Sequence, residues 1–223
     1  MRQIEDLTTE PTYSVANDDF QCDDSSLGLF AVASGSAGGW VVSRTAIRAL
    51  RQYIAETDAG IDGSWPCSPL SSLSFNGNRL RAAVMIASRS VDEARTSPLQ
   101  LAALLWGDNR SVAVSSIGDC HVYVARTGRL HRVQPNTMPI PTAATVELST
   151  VAVCEVEYEQ DDRWLICSSG IHTVLTHVEI ASVLLDGSTP APELSTRLIE
   201  LAAMRHSVRA TAIVVSPAER RPM

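Results

Sequence analysis

The stretch LQLAALLWGDNRSVAVSSIGDCHVYVART, residues 99–127, decides the fold. Three apolar runs of strand length, 99–106, 111–118 and 121–127, are broken by GDNR (107–110) and by the Gly118–Asp119 step. Runs that short and bounded by turn residues read as strands rather than helices. Connections that short read as tight turns between antiparallel strands. The expectation is an antiparallel meander that closes at a turn on Gly128.

Working outward, LGLFAVAS (27–34) reads as a further buried strand, interrupted by Gly35, Gly38 and Gly39. The spacing of Val42, Ala46, Leu50, Tyr53 and Ile54 predicts a helix from about Trp40 to Thr57, and Leu80, Val84, Ala87, Val91 and Ala94 predict a second over about 79–95. Between them, 58–78 is rich in Gly, Ser, Pro and Asn and reads as a loop. The polar start, with Asp18, Asp19, Asp23 and Asp24, reads as a solvated turn ahead of the strand. After the meander come strands near 150–157 and at 163–169, then helices over about 177–186 and 192–206, the latter with Pro192 in its first turn. TAIVVS (211–216) closes the pattern as a last buried strand. Helices placed early and late around antiparallel strands imply an α+β fold in which helices cover sheets.

Composition narrows the function. The chain has 223 residues, of which 45% are hydrophobic and 19% charged, enough for one well-cored domain spanning 1–223. A net charge of -7 offers no basic footprint, so neither nucleic acid nor an anionic membrane is expected as a partner. All 18 basic residues are Arg, which removes Lys as a base or Schiff-base former. Cysteines at 22, 67, 120, 154 and 167 form no C-x-x-C pair, against both a disulfide framework and a structural zinc. MRQIEDLTTEPTYS at the start has no apolar core of a secretory signal, and LAALLW is too short to span a bilayer, so a cytoplasmic location is expected.

Five segments carry a family resemblance between about Tyr13 and Ser216. NDDF (17–20) resembles an N-x-D motif, and GLFAVASGSAGG (28–39) a strand ending in V-A-D-G-M-G-G. SSIGDCHVYVARTGRLHRV (115–133) is similar to A-N-V-G-D-S-R-x-Y-x-x-R-x-G-x-L-x-x-L. DDRWLICSSGIHTVLTHVEIASVL (161–184) resembles G-D-x-L-L-L-C-S-D-G-L-x-D-x-L-x-x-x-E-I-x-x-x-L, and VRATAIVV (208–215) resembles D-N-x-T-x-I-V-V. In this order they resemble the metal-dependent (PPM, type 2C) serine/threonine protein phosphatases. The resemblance implies two stacked antiparallel β-sheets flanked by helix pairs, an α-β-β-α sandwich.

Active members of that family hold two divalent cations with carboxylates and use them to activate a water for attack on a phosphoryl group. Here the bridging Asp of D-G falls on Ser34, followed by Gly35, and the Asp of S-D-G falls on Ser169. The final D-N falls on Val208 and Arg209, and the Arg that grips phosphate ahead of N-x-D falls on Ser14. Only Asp19 and Asp119 remain at metal positions. Hydroxyls are weak neutral ligands for hard cations and Val is none. Scaffold glycines survive while charges are gone, and the D-H-S part of the family's flap segment is absent between 131 and 161.

The resemblance with these departures implies a pseudophosphatase in bacterial signalling that binds a protein partner, such as a kinase or a phosphoprotein, with no cofactor. The alternative is a genuine metal-dependent serine/threonine phosphatase with an atypical site, and Mg²⁺ or Mn²⁺ belongs only to it. Ser36 lacks the Gly two residues earlier that a nucleophile elbow needs. His172 and His206 lie beside the Ser169 and Val208 positions and offer a substitute site with Asp19, but read more simply as partly exposed loop residues. Cys67, Cys120 and Cys167 read as buried packing. Arg44, Arg48 and Arg51 share a helix face that is solvated or carries a partner.

Overall fold

Strands alternating between two apolar layers dominate the computed structural model, which describes residues 7–8, 19–35, 39–60, 65–92, 99–107, 110–135, 151–205 and 209–217. The elements are β1 (Leu7–Thr8), β2 (Phe20–Asp24), β3 (Leu29–Ser34), α1 (Trp40–Glu56), α2 (Phe75–Asp92), β4 (Gln100–Trp106), β5 (Ser111–Ile117) and β6 (His121–Arg126). There follow β7 (Arg129–Val133), β8 (Val153–Glu157), β9 (Arg163–Cys167), α3 (Ser169–His172), α4 (His177–Leu184), α5 (Ala191–Met204) and β10 (Ala212–Pro217). One sheet has the order β2-β3-β4-β5-β8 and the other β1-β10-β9-β6-β7, each antiparallel throughout.

The two-residue alternation explains the layering. Leu29, Ala31, Ala33, Leu101, Ala103 and Leu105 face α1 and α2. Their neighbours Phe30, Val32, Ala102, Leu104 and Trp106 face the second sheet, where they meet Val122, Val124, Trp164, Ile166, Ile213 and Val215. The far face of that sheet, with Tyr123, Leu165, Cys167, Ala212 and Val214, is covered by α4 and α5. Both faces of the central strands are therefore apolar, and the fold is an α-β-β-α sandwich. Trp164 is fully buried and packs edge-on against Trp106 with ring centroids 6.0 Å apart. Aromatic pairs of that geometry add about 0.5–1.5 kcal/mol beyond area burial.

Four local readings are corrected. The acidic stretch after Asp19 is an edge strand, β2, in register with β3 from Phe20↔Ala33 to Asp24↔Leu29. The 58–78 loop is shorter than expected, because α2 starts at Phe75. The Ser74 hydroxyl caps that helix by accepting from the Gly77 N–H at 3.1 Å, and Glu155 on β8 holds the cap in place by accepting from the Ser74 N–H at 2.9 Å and from its hydroxyl. The meander expected over 99–127 is split between the two sheets: the turn at Gly118 and Asp119 carries the chain across. Thus β5 pairs with β4 and β8, while β6 pairs with β9 and, through the turn at Thr127 and Gly128, with β7. The strand expected over 163–169 stops at Cys167, and Ser169 opens the short helix α3.

Candidate functional site at the strand ends

Antiparallel order gathers the sequence-predicted residues at one end of both sheets. β3 ends there at Ser34, paired with Gln100 at the start of β4, and β2 starts there just after Asp19. In the other sheet, β6 starts after Asp119 and Cys120, β9 ends before Ser168 and Ser169, and β10 starts after Arg209 and Thr211. Ser14, Ser36, Val208 and His206 lie outside the described residues.

Asp19 and Thr211 tie the two sheets together. The Thr211 hydroxyl donates to Asp19 Oδ2 at 2.9 Å, and the Thr211 N–H donates to Ser168 Oγ at 3.1 Å. The Ser168 N–H returns a bond to the Thr211 carbonyl at 3.0 Å. Asp19, Ser34, Ser168 and Thr211 are all buried. Asp19 Oδ1 is buried and has no hydrogen-bond partner among the described residues. Cys120 lies beside them; burial pushes its thiol well up, and the charge of Asp19 adds to the effect. Ser169 is half-buried, whereas Asp119 and Arg209 are exposed.

Two glycines are steric requirements of this end. A Cβ on Gly170 would come within 1.3 Å of the Arg209 carbonyl oxygen, and one on Gly35 within 2.6 Å of the Gly39 carbonyl oxygen. Both positions put two backbone segments in contact, and no side chain fits between them.

A second cluster flanks the first. The His121 and His172 rings stack with centroids 3.6 Å apart and planes 15° apart. His172 Nε2 donates to the Asp119 carbonyl at 2.7 Å. Arg132 donates to His121 Nε2, which leaves the proton on Nδ1, 3.2 Å from the Tyr123 hydroxyl. Burial, then His172 and the Arg132 charge, lower the His121 pKa to about 3. Burial raises Tyr123 to about 12 and Cys167 to about 12. His172 is thus engaged with the backbone and a neighbouring ring rather than with Asp19. Sequence reasoning singled out neither His121 nor Thr211. The signals were there: Cys120–His121 depart from the Ser-Arg of G-D-S-R, and Thr211 keeps the Thr of D-N-x-T. Among the described residues, no three His, Cys, Asp or Glu side chains form a group that could hold a metal ion.

Superposition on solved structures places this architecture. PstP/Ppp, a serine/threonine phosphatase of Mycobacterium tuberculosis, matches with a TM-score of 0.69 at 22% identity, over 96% of this chain and 97% of that one. The fold is that of the PPM-type serine/threonine phosphatases. PppA, a key regulatory component of T6SS in Pseudomonas aeruginosa, matches at 0.69 and 20% identity, over 92% and 95% of the two chains. MsPP, a PPM Ser-Thr phosphatase of Mycobacterium smegmatis in complex with cacodylate, matches at 0.67 and 19%, over 95% and 96%. No family model matches the sequence, and no curated protein does. Within the PPM fold, the strand ends that carry Asp19, Ser34, Ser168 and Thr211 form the junction of the two sheets. No helix among the described residues is long and apolar enough to cross a membrane.

Proposed function

We propose that this chain is a catalytically impaired type 2C-like pseudophosphatase, a regulatory binding module of bacterial protein-phosphorylation signalling in the cytoplasm. It engages a protein partner such as a kinase or a phosphoprotein. One observation carries the reading: the junction of the two sheets is lined by hydroxyls. Ser34, Ser168, Ser169 and Thr211 stand there with Asp19, whose Oδ2 accepts from Thr211. A pair of hard divalent cations needs several anionic oxygens, one of them bridging, to offset mutual repulsion. Ser34 at the bridging position supplies a neutral hydroxyl, and Asp119 is exposed. The described donor set does not fit two such cations, so no hydrolytic step is routed through them. The likeness to PppA, itself a regulatory component, is compatible with a regulatory role.

The test is hydrolysis of a phosphothreonine peptide with and without millimolar Mn²⁺. The expected outcome is no metal-dependent turnover, and saturable, Mn²⁺-dependent turnover by the wild-type chain overturns the reading. Ser34→Asp, Ser169→Asp and Val208→Asp together are expected to recover Mn²⁺ binding by calorimetry ahead of turnover. Ser14 still lacks the bidentate phosphate grip of an Arg in that variant.

The second reading, a genuine metal-dependent serine/threonine phosphatase with an atypical site, is favoured by Asp19 Oδ1. A buried carboxylate oxygen with no described partner is the kind of atom a cation satisfies. The PstP catalytic domain was solved in complex with two manganese ions. Under this reading Asp19 and Asp119 are the residual ligands, and Mg²⁺ or Mn²⁺ the cofactor.

A further inference from the structure

The outward face of α1 joins exposed apolar groups to Arg side chains that have no partner among the described residues. Val42, Ser43, Ala46, Ile47, Leu50 and Ile54 are buried against the sheet. On the opposite side Trp40 is 52% exposed and Val41 46%. Arg44 and Arg48 follow at one-turn spacing, exposed, with no hydrogen bond or ion pair among the described residues. Arg51, by contrast, forms a fork with Asp24 of β2, its Nε and Nη2 each 2.8 Å from Oδ2. That pair fixes which flank of the helix lies over the edge strand.

Trp40 is three turns before Arg51 and only about 20° around the helix from it, so it lies on the same flank. From Asp24 back to Phe20 is about 13 Å of strand, and an equal length of α1 back from Arg51 reaches its first turn. Phe20, 38% exposed, pairs with Ala33 on the helix-covered side of the sheet, at the end where α1 begins. Along α1 the exposed side chains are Trp40 and Val41 at the end near the sheet junction, then Arg44 and Arg48, with Phe20 exposed on the edge strand beneath that end.

We propose that this face docks an acidic segment of a partner protein that carries an apolar anchor. Exposed Trp and Arg are the residue types on which interfaces concentrate their binding energy. Two Arg side chains one turn apart present donors at about the spacing of neighbouring carboxylates on a partner helix. Two Arg side chains are few for a membrane surface or a nucleic acid backbone, where binding grows with the number of cations engaged. An acidic segment with one or two Leu side chains matches both halves of the patch.

The docking face stands apart from the pseudophosphatase reading: turnover by the wild-type chain would overturn that reading and leave this one intact. The probe is a fluorescein-labelled peptide of Glu-Glu-Leu-Leu repeats, titrated with the full chain and read by fluorescence polarisation. Saturable binding that weakens with salt is expected. Arg44→Glu with Arg48→Glu, and separately Trp40→Ala, are each expected to raise Kd about tenfold or more. All three side chains are exposed, so circular dichroism and Tm should match the wild type; if a charge-reversed chain misfolds, Arg44→Gln with Arg48→Gln takes its place. Absence of peptide binding, or equal binding by the wild type and the Arg variant, overturns the proposal. So does co-sedimentation with phosphatidylserine vesicles that is lost in the Arg variant while the peptide stays unbound.

Discussion

Asp19 and Asp162 are both buried aspartates of the two-sheet core, and they are held in opposite ways. Asp162, ahead of β9, accepts from Arg126 Nε at 2.8 Å, from Arg126 Nη2 at 2.6 Å and from the Glu159 N–H at 2.8 Å. Arg126 also donates to the Glu157 carbonyl at 2.6 Å. Asp19, at the other end of the sheets, accepts from one described donor, the Thr211 hydroxyl, and its second oxygen has none. A buried carboxylate is tolerable when a counter-charge and several donors replace water, and costly when they do not. The turn around Asp162 is built as a closed structural lock. The junction around Asp19 leaves one carboxylate oxygen without a partner among the described residues, which is where a binding role, or a residual cation, would reside.

The largest effect expected from this contrast is at the lock. Asp162→Ala strands Arg126 against the strand end and removes three hydrogen bonds, so it should lower stability by about 3 kcal/mol. Urea unfolding of the variant checks this, and a loss below about 1 kcal/mol would break the comparison from the Asp162 side. At the junction the effect should be smaller. Asp19→Asn keeps an acceptor for Thr211 and removes an unbalanced charge, so stability should stay within about 1 kcal/mol of wild type. Running the same unfolding with millimolar Mn²⁺ sharpens the point: a ligand that binds only the native state raises Tm. No Mn²⁺ effect on the wild type is expected. A rise that Asp19→Asn abolishes would favour the metal-dependent reading.

Much of the fold was legible because its signals are local. Apolar runs bounded by turn residues along 99–127 and a one-sided helix at Val42, Ala46 and Leu50 each specify an element without distant partners, although not which sheet a strand joins. The misreadings fell where a distant residue decides. β2 is a strand because its backbone pairs with β3; only Cys22 within it is buried, so FQCDD carries no strand pattern of its own. Ser74 caps α2 locally through the Gly77 N–H, but within a Ser-rich run it reads as loop, and Glu155 from β8 is what fixes it there. At the junction, motif resemblance located Asp19, Ser34 and Ser169. It could not show that Thr211 would reach Asp19 across 192 positions of chain, or that His172 would stack on His121.

The smallest effect is a pH dependence confined to the junction end, and it follows from the neutral imidazole at its flank. His121 is held neutral by burial, by the adjacent His172 ring and by the Arg132 guanidinium that donates to Nε2. Its pKa is about 3 in the fold, against about 6.5 for an unperturbed His in the unfolded chain. Between those values the unfolded chain takes up a proton that the folded chain refuses, so stability rises with pH there. The contribution of a neutral His121 is complete above about pH 6.5 and is lost progressively as pH falls towards 3. His121 is only partly buried, which keeps the effect modest. His121→Gln retains an acceptor for Arg132 and has nothing to titrate. Urea midpoints of wild type and variant, compared at pH 7 and pH 5, should therefore diverge, with the wild type losing more. Hydrogen exchange should locate the loosening at the start of β6 and in α3, while amides around Asp162 keep their protection. Parallel pH profiles for the two proteins would show that His121 titrates normally and that the junction end is no more sensitive to protons than the lock.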